Sequence, residues 1–146
     1  MALCGLITGR LFLFILLGTN SASLTSTPET FSGTFCPLMD VHFICSIKSL
    51  TNLKWFFDSS QAATYSFSRN DRYPMRMEVA TGISPSQFTF YIWNATFLSD
   101  EEFDGVSTLN TTVQFLHDMG ISQIECGTQT IHDSVPLNFN LQGKEV

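Results

Sequence analysis

The amino-acid sequence predicts an all-β protein, a sandwich of about eight or nine short strands. Apolar and polar residues alternate with a period of two along much of the chain, as in strands that bury one face. Stretches rich in turn residues, such as residues 81–87, separate these runs. Two cysteines, Cys45 and Cys126, fall on the apolar side of two runs that are far apart in the chain. Together these features favour two facing sheets around one core.

The N-terminal segment has the layout of a secretory signal. Residues 1–10 carry one positive charge, residues 11–18 form a short apolar run, and residues 19–23 are small or polar. This order is typical of a cleaved signal peptide, so we expect a signal at 1–23 and a single domain at 24–146. The apolar run is short for the about 20 residues of a membrane span. We therefore expect a secreted, extracellular protein with no membrane span.

The first half of the domain contains the clearest alternation. An edge strand is expected within residues 29–40. In the runs that follow, the residues predicted to face the core are Val41, Phe43, Cys45 and Ile47; then Leu53, Trp55 and Phe57; then Ala63, Tyr65 and Phe67; and then Met75, Met77 and Val79.

The segment 88–97 is apolar at both parities and leaves two arrangements open. Its sequon, which begins at Asn94, needs that residue to face water. If the strand is regular, Phe88, Phe90 and Ile92 then also face outward and form a row of exposed apolar side chains. Alternatively the strand ends near Trp93, and those three residues enter the core.

The second half continues the strand pattern, and we expect no amphipathic helix in it. The residues predicted to face inward are Leu109, Thr111, Val113 and Phe115; then Ile124, Cys126 and Thr128; and then Val135, Leu137, Phe139 and Leu141. Residues 131–134 are expected to form a tight turn. Pro136 has no backbone N–H, which predicts an edge position for the last strand. Asn110 faces outward and begins a second sequon, so we expect N-glycans at Asn94 and Asn110.

The domain that remains after removal of the predicted signal peptide has an odd number of cysteines. Cys4 leaves with the predicted signal peptide, and Cys36, Cys45 and Cys126 remain. An oxidising compartment favours one disulfide and one further thiol.

Residues 31 to 143 resemble an immunoglobulin-like domain of the variable or intermediate type. Cys45, Trp55 and Cys126 match the cysteine, tryptophan and cysteine of that fold. The stretches "FCPLMDVHFIC" and "LKW" resemble the divergent immunoglobulin-like ectodomains of invertebrate surface and secreted proteins. The stretch "DMGISQIEC" departs from the family pattern, because Ile124 stands where tyrosine is usual, so a tyrosine corner is not expected.

The resemblance implies a Greek-key β-sandwich with a disulfide between Cys45 and Cys126. Trp55 would pack against that disulfide, and we call these three residues the core pin. Cys36 would then be unpaired within the chain. It is either a buried, inert thiol or the link of a disulfide-bonded dimer; alternatively it competes with Cys45 for Cys126.

Composition and motifs disfavour several classes of function. The formal net charge of −6 argues against a nucleic-acid partner. His42, His117 and His132 are scattered, and no cysteine pair has zinc spacing. The acidic segment 99–105 is interpreted as a solvated loop. No nucleophile or phosphate-binding motif is present, so we expect no catalytic residue, no metal, no cofactor and no enzymatic activity.

The resemblance implies a secreted or surface-derived binding module that recognises a protein or a glycan, in adhesion, as a receptor or in an immune role. A variant of this hypothesis makes the chain a truncated form of a longer receptor. The contact sites would be the sheet face of the C, C′, F and G strands, or loops near Asn52, residues 59–62 and residues 129–134. The alternative is a small secreted β-barrel that carries an apolar ligand and uses its many phenylalanines as lining; the chain has 14, two of them in the predicted signal peptide.

Overall fold

A computed structural model describes residues 21–27, 34–49, 52–68, 72, 75–97, 103–128, 130–138 and 140–141. Most of the predicted signal peptide and most of the acidic segment 99–105 lie outside these residues. The strands are β1 (Ser21–Thr27), β2 (Thr34–Phe35), β3 (Asp40–Ser49), β4 (Asn52–Phe57), β5 (Ser60–Phe67), β6 (Met75–Val79), β7 (Thr89–Phe97), β8 (Phe103–Thr112), β9 (Gln123–Gly127), β10 (His132–Pro136) and β11 (Asn140–Leu141). One helix, α1, spans Val113–Asp118.

The strands form two facing sheets. One has the order β1-β3-β8-β7 and the other the order β10-β9-β4-β5-β6, and β2 pairs with β11 in parallel. All neighbours within the two large sheets are antiparallel. The protein is therefore an immunoglobulin-like Greek-key β-sandwich, as predicted. The two strands β5 and β6 beyond β4 extend the second sheet as the C′ and C″ strands do in variable-type domains.

The predicted inward parity is confirmed for β3, β4 and β5. Every residue assigned to the core on these three strands is buried, and the largest fully buried side chain of the described chain is Trp55. Because side chains alternate between faces along a strand, the residues between them form the outer faces of the sandwich.

The two sheets are joined by a pair of adjacent links through the core. Cys45 on β3 and Cys126 on β9 form a disulfide with their Cα atoms 6.3 Å apart. Beside it, the Trp55 indole N–H donates to the Ser107 hydroxyl over 3.0 Å. Cys45 is the register partner of Ser107, and Trp55 is the register partner of Cys126. The covalent link and the hydrogen bond therefore close a ring across the core. The Ser107 hydroxyl in turn donates to the Tyr91 carbonyl, so its own hydrogen is also satisfied.

A bulge in β7 settles the two arrangements left open for residues 88–97. The pairing with β8 shifts between Ile92 and Asn94. Phe88 is buried, Phe90 and Ile92 pack half-buried against the core, and Trp93 at the bulge is exposed. Phe88, Phe90 and Ile92 therefore face inward, as in the second alternative. The strand continues to Phe97, however, so the prediction that it ends near Trp93 is wrong. The extra residue of a bulge reverses the parity of a strand without ending it.

The N-terminal edge strand lies earlier than predicted. β1 pairs with β3 along its whole length, and Leu24 in it is buried. The Leu24 N–H also donates to the Asp133 carboxylate on β10 over 2.7 Å, which ties the two sheets together at this edge. Within residues 29–40, the described residues contain only the short strand β2 and the first residue of β3. The expected boundary after Ser23 falls inside β1.

Two elements of the second half differ from the prediction. The helix α1 was not predicted, because its six residues are too few to show a helical period. Thr112 caps it by accepting a hydrogen bond from the Phe115 N–H, and Val113 and Leu116 are buried. β10 begins at His132, where a turn was expected. Its first residues are polar and it is an edge strand, so no apolar alternation marks it.

β6 is a strand as predicted, but its apolar residues are not in the core. Met75, Met77 and Val79 are 40%, 49% and 41% exposed. They pair with buried residues of β5 and so belong to the inner face of the sheet. Their exposure means that the opposite sheet covers this edge of the five-stranded sheet only in part.

Cys36 is disulfide-bonded, and its partner is not among the described residues. The prediction of an unpaired or intermolecular Cys36 therefore does not agree with this structure.

Replacing both residues of the disulfide should destabilise the domain strongly. The bond closes a segment with a sequence separation of 81, for which chain entropy predicts about 4 to 5 kcal/mol. We expect Cys45→Ala/Cys126→Ala to lower the unfolding free energy by about this amount in urea titrations. Met119→Ala, at an exposed position, is the control. A loss below about 1 kcal/mol would contradict a structural role of the bond.

Replacing Tyr65 should change how the unfolding free energy depends on pH in the alkaline range. Burial raises the pKa of its hydroxyl above the ordinary value of 10.0. The Tyr65 oxygen has no hydrogen-bond partner among the described atoms. Because the folded pKa is the higher one, the stabilising contribution is complete below pH 10.0 and is lost as the pH rises through the folded pKa.

We therefore expect Tyr65→Phe to remove this alkaline loss. At neutral pH the variant should be more stable by about 1 kcal/mol, because a buried unpaired hydroxyl is removed. Urea unfolding at about pH 7 and about pH 11 measures both effects, with Tyr91→Phe at an exposed tyrosine as the control. The same alkaline loss in Tyr65→Phe as in the unaltered protein would contradict the assignment.

Candidate functional site

The outer face of the five-stranded sheet carries a cluster of three side chains, Phe56, Glu125 and His132, which we call the Phe56 cluster. Phe56 lies on β4, Glu125 on β9 and His132 on β10. Phe56 and Glu125 are register partners. They alternate with the buried residues of their own strands, so they project away from the core.

The cluster is held by one ring contact and a chain of polar contacts. The rings of Phe56 and His132 stack with centroids 4.6 Å apart and planes at 23°. The His132 Nδ1 atom lies 3.3 Å from a Glu125 carboxylate oxygen. The other Glu125 oxygen accepts from the Ser59 hydroxyl over 3.4 Å. An aromatic ring, an imidazole and a carboxylate at one place can bind apolar and polar groups of a partner together.

Gly127 places His132 in this cluster. It is the register partner of both Lys54 and His132, and it has no side chain where the backbone of Ile131 and His132 passes close by. A Cβ atom at this position would lie 2.7 Å from the His132 Cα atom and 2.9 Å from the Ile131 carbonyl carbon. The turn that leads to His132 is ordered by the Thr128 hydroxyl, which accepts from the Thr130 and Ile131 N–H groups.

The loops predicted as contact sites do not all lie at one end of the sandwich. Lys54 near the start of β4 pairs with Gly127 at the end of β9. Asn52 therefore lies at the same end as the turn before His132. The strand β10 already includes residues 132–134 of the predicted loop, and residue 129 is outside the described residues.

The turn at Asp58 and Ser59 lies at the opposite end. Both residues have positive φ, 49° and 68°, as in a type I′ hairpin turn. The Asp58 carboxylate accepts from the Ser122 and Gln123 N–H groups, each over 2.9 Å. This contact fixes the turn to the segment before β9, so residues 59–62 cannot form one surface with Asn52.

Both predicted glycosylation positions lie on the other sheet. Asn110 on β8 is half-exposed, and its Oδ1 atom is 2.7 Å from the His42 Nδ1 atom. Asn94 on β7 occupies the register position opposite Val106 of β8. The outer face that carries the Phe56 cluster contains neither sequon.

Sequence reasoning missed the Phe56 cluster. The signal available for Phe56 was its outward parity beside Trp55, since a large apolar residue at an outward position is unusual for a solvated face. His132 was assigned to a turn and read as an isolated surface histidine, because nothing in the sequence showed that β10 begins there.

The described residues were also searched for a metal site and for a membrane-spanning helix. They contain no group of three or more His, Cys, Asp or Glu side chains placed to hold a metal ion. None of their helices combines the length and the apolar character that a membrane span requires.

Comparison of the sequence with models of known families gives no match, and comparison with curated proteins gives none either.

Substitution of Gly127 should disturb both stability and the cluster. Because a Cβ atom there would meet backbone atoms, we expect Gly127→Ala to lower the unfolding free energy by about 2 to 3 kcal/mol. Gly82→Ala is the matched control, since its Cβ atom would meet nothing within 4 Å and only its positive φ would be strained, at about 1 kcal/mol. Equal losses in urea unfolding of the two variants would contradict the close approach at Gly127.

Proposed function

We propose that this protein is a secreted or surface-derived immunoglobulin-like binding module that recognises a protein or a glycan through the outer face of its five-stranded sheet. The role belongs to the class of adhesion, receptor or immune-type recognition. Phe56 is the apolar centre of the contact, and Glu125, His132 and the polar residues around them form the rim. An apolar centre with a polar rim is the usual arrangement of a protein interface.

The observation that carries this proposal is the asymmetry of the two outer faces. The face with the Phe56 cluster contains no sequon, whereas both sequons lie on β7 and β8 of the opposite sheet. Glycans are bulky and solubilising, so they would leave the Phe56 face open to a partner. The intrachain disulfide is compatible with the extracellular compartment that this role requires.

The carrier of an apolar ligand is the alternative. Such a protein needs an open interior. Here the core pin and the Trp55–Ser107 hydrogen bond occupy the space between the sheets, and Trp55 is fully buried. These contacts favour the binding module.

The proposal predicts that Phe56 dominates binding. The domain, secreted with its glycans and made multivalent, is screened against arrays of extracellular proteins and of glycans. For each ligand bound, Phe56→Ser should weaken the affinity by at least about tenfold, as expected for a central aromatic anchor. Ile44→Ser, at an exposed position on the opposite sheet, is the matched control and should bind as before.

Two results would contradict the proposal. One is binding that survives Phe56→Ser but is lost in Ile44→Ser, which would place the contact on the other sheet. The other is a hydrophobic dye that binds the domain and is displaced by fatty acid, which would favour the carrier.

A further inference from the structure

An exposed apolar strip crosses the outer face of the four-stranded sheet. It consists of Ile44 on β3, Tyr91 on β7 and Trp93 at the bulge of β7, which are 39%, 49% and 66% exposed. Thr108 on β8 pairs with Ile44 on one side and with Tyr91 on the other. The Trp93 indole N–H donates to the Thr108 hydroxyl, so the polar edge of the indole is already satisfied and its carbon face remains in solvent.

The two sequons lie on either side of this apolar strip. Asn110 is two residues from Thr108 along β8 and faces the same side, since neighbours two apart in a strand share a face. Val106, two residues from Thr108 in the other direction, is the register partner of Asn94. One glycosylation position therefore lies one row above the apolar strip and the other one row below it.

The side chain of Asn110 is arranged to carry a sugar while folded. Its Oδ1 atom is the one that contacts the His42 Nδ1 atom, at 2.7 Å. An N-glycan is attached to the amide nitrogen, so this contact and the glycan do not compete.

We propose that N-linked glycans on Asn110 and Asn94 fold over Ile44, Tyr91 and Trp93, and that the chain's own sugar is the cover of the apolar strip. The C–H groups and the acetyl methyl group of N-acetylglucosamine carry small positive charges, which suit the negative face of an aromatic ring. Glycans on both sides of the apolar strip would also prevent a protein partner from reaching it. Like the binding proposal, this inference requires glycans at both sequons, but it does not depend on the Phe56 cluster.

Tryptophan fluorescence provides a direct test. The chain has two tryptophans, and Trp55 is fully buried whereas Trp93 is exposed, so acrylamide quenching reports on Trp93. The full chain is expressed through a secretory pathway, and mass spectrometry determines the occupancy of both sequons. Glycans are then removed enzymatically from the folded protein, and quenching is compared before and after removal. Enzymatic removal avoids variants that fail to fold.

We expect both sequons to be occupied and the quenching constant of Trp93 to rise at least about twofold when the glycans are removed, because the ring gains solvent contact. Asn110→Gln alone should give an intermediate rise. Removal of the glycans should also increase self-association in sedimentation experiments, and Trp93→Ser should suppress that increase. Unoccupied sequons, or quenching that is unchanged by removal of the glycans, would overturn the proposal.

Discussion

The architecture depends on the double link between Cys45, Cys126, Trp55 and Ser107. A disulfide alone would join the sheets at one point and allow them to rotate about it. The hydrogen bond from Trp55 to Ser107 lies on the neighbouring register pair, so it adds a second point of attachment. Both links are buried, and a buried hydrogen bond is stronger than one in water and costly to break. Two adjacent links fix the strand directions and the register of the sheets relative to one another.

This constraint decides what each outer face presents. Once Cys45, Trp55 and Cys126 point inward, the alternation of strands sends Phe56 and Glu125 outward on one sheet and Ile44 outward on the other. The bulge at Trp93 adds an indole ring to the latter face without disturbing Phe88 in the core. The result is one face with a compact mixed cluster and one face with an apolar strip beside both sequons. The two proposals assign different occupants to these two faces.

The sequence predicts those parts of the fold that depend on side-chain period. β3, β4 and β5 pack as half-buried strands, and their apolar parity is visible in the sequence. A bulge does not change composition, so the facing of residues 88–97 could not be decided. The first residues of β10 are polar, so the backbone pairing that defines this edge strand left no apolar signal. The Phe56 cluster could not be predicted for the same reason, because His132 lies beside Phe56 only through the pairing of β10.

The disulfide map of the secreted protein tests the central claim most directly. Proteolysis without reduction, followed by mass spectrometry of the peptides, shows which cysteines are linked. The structure predicts one peptide pair that joins Cys45 to Cys126. A link from Cys36 to Cys45 or to Cys126, or free thiols at both Cys45 and Cys126, would contradict the double link and the assignment of the two faces that rests on it.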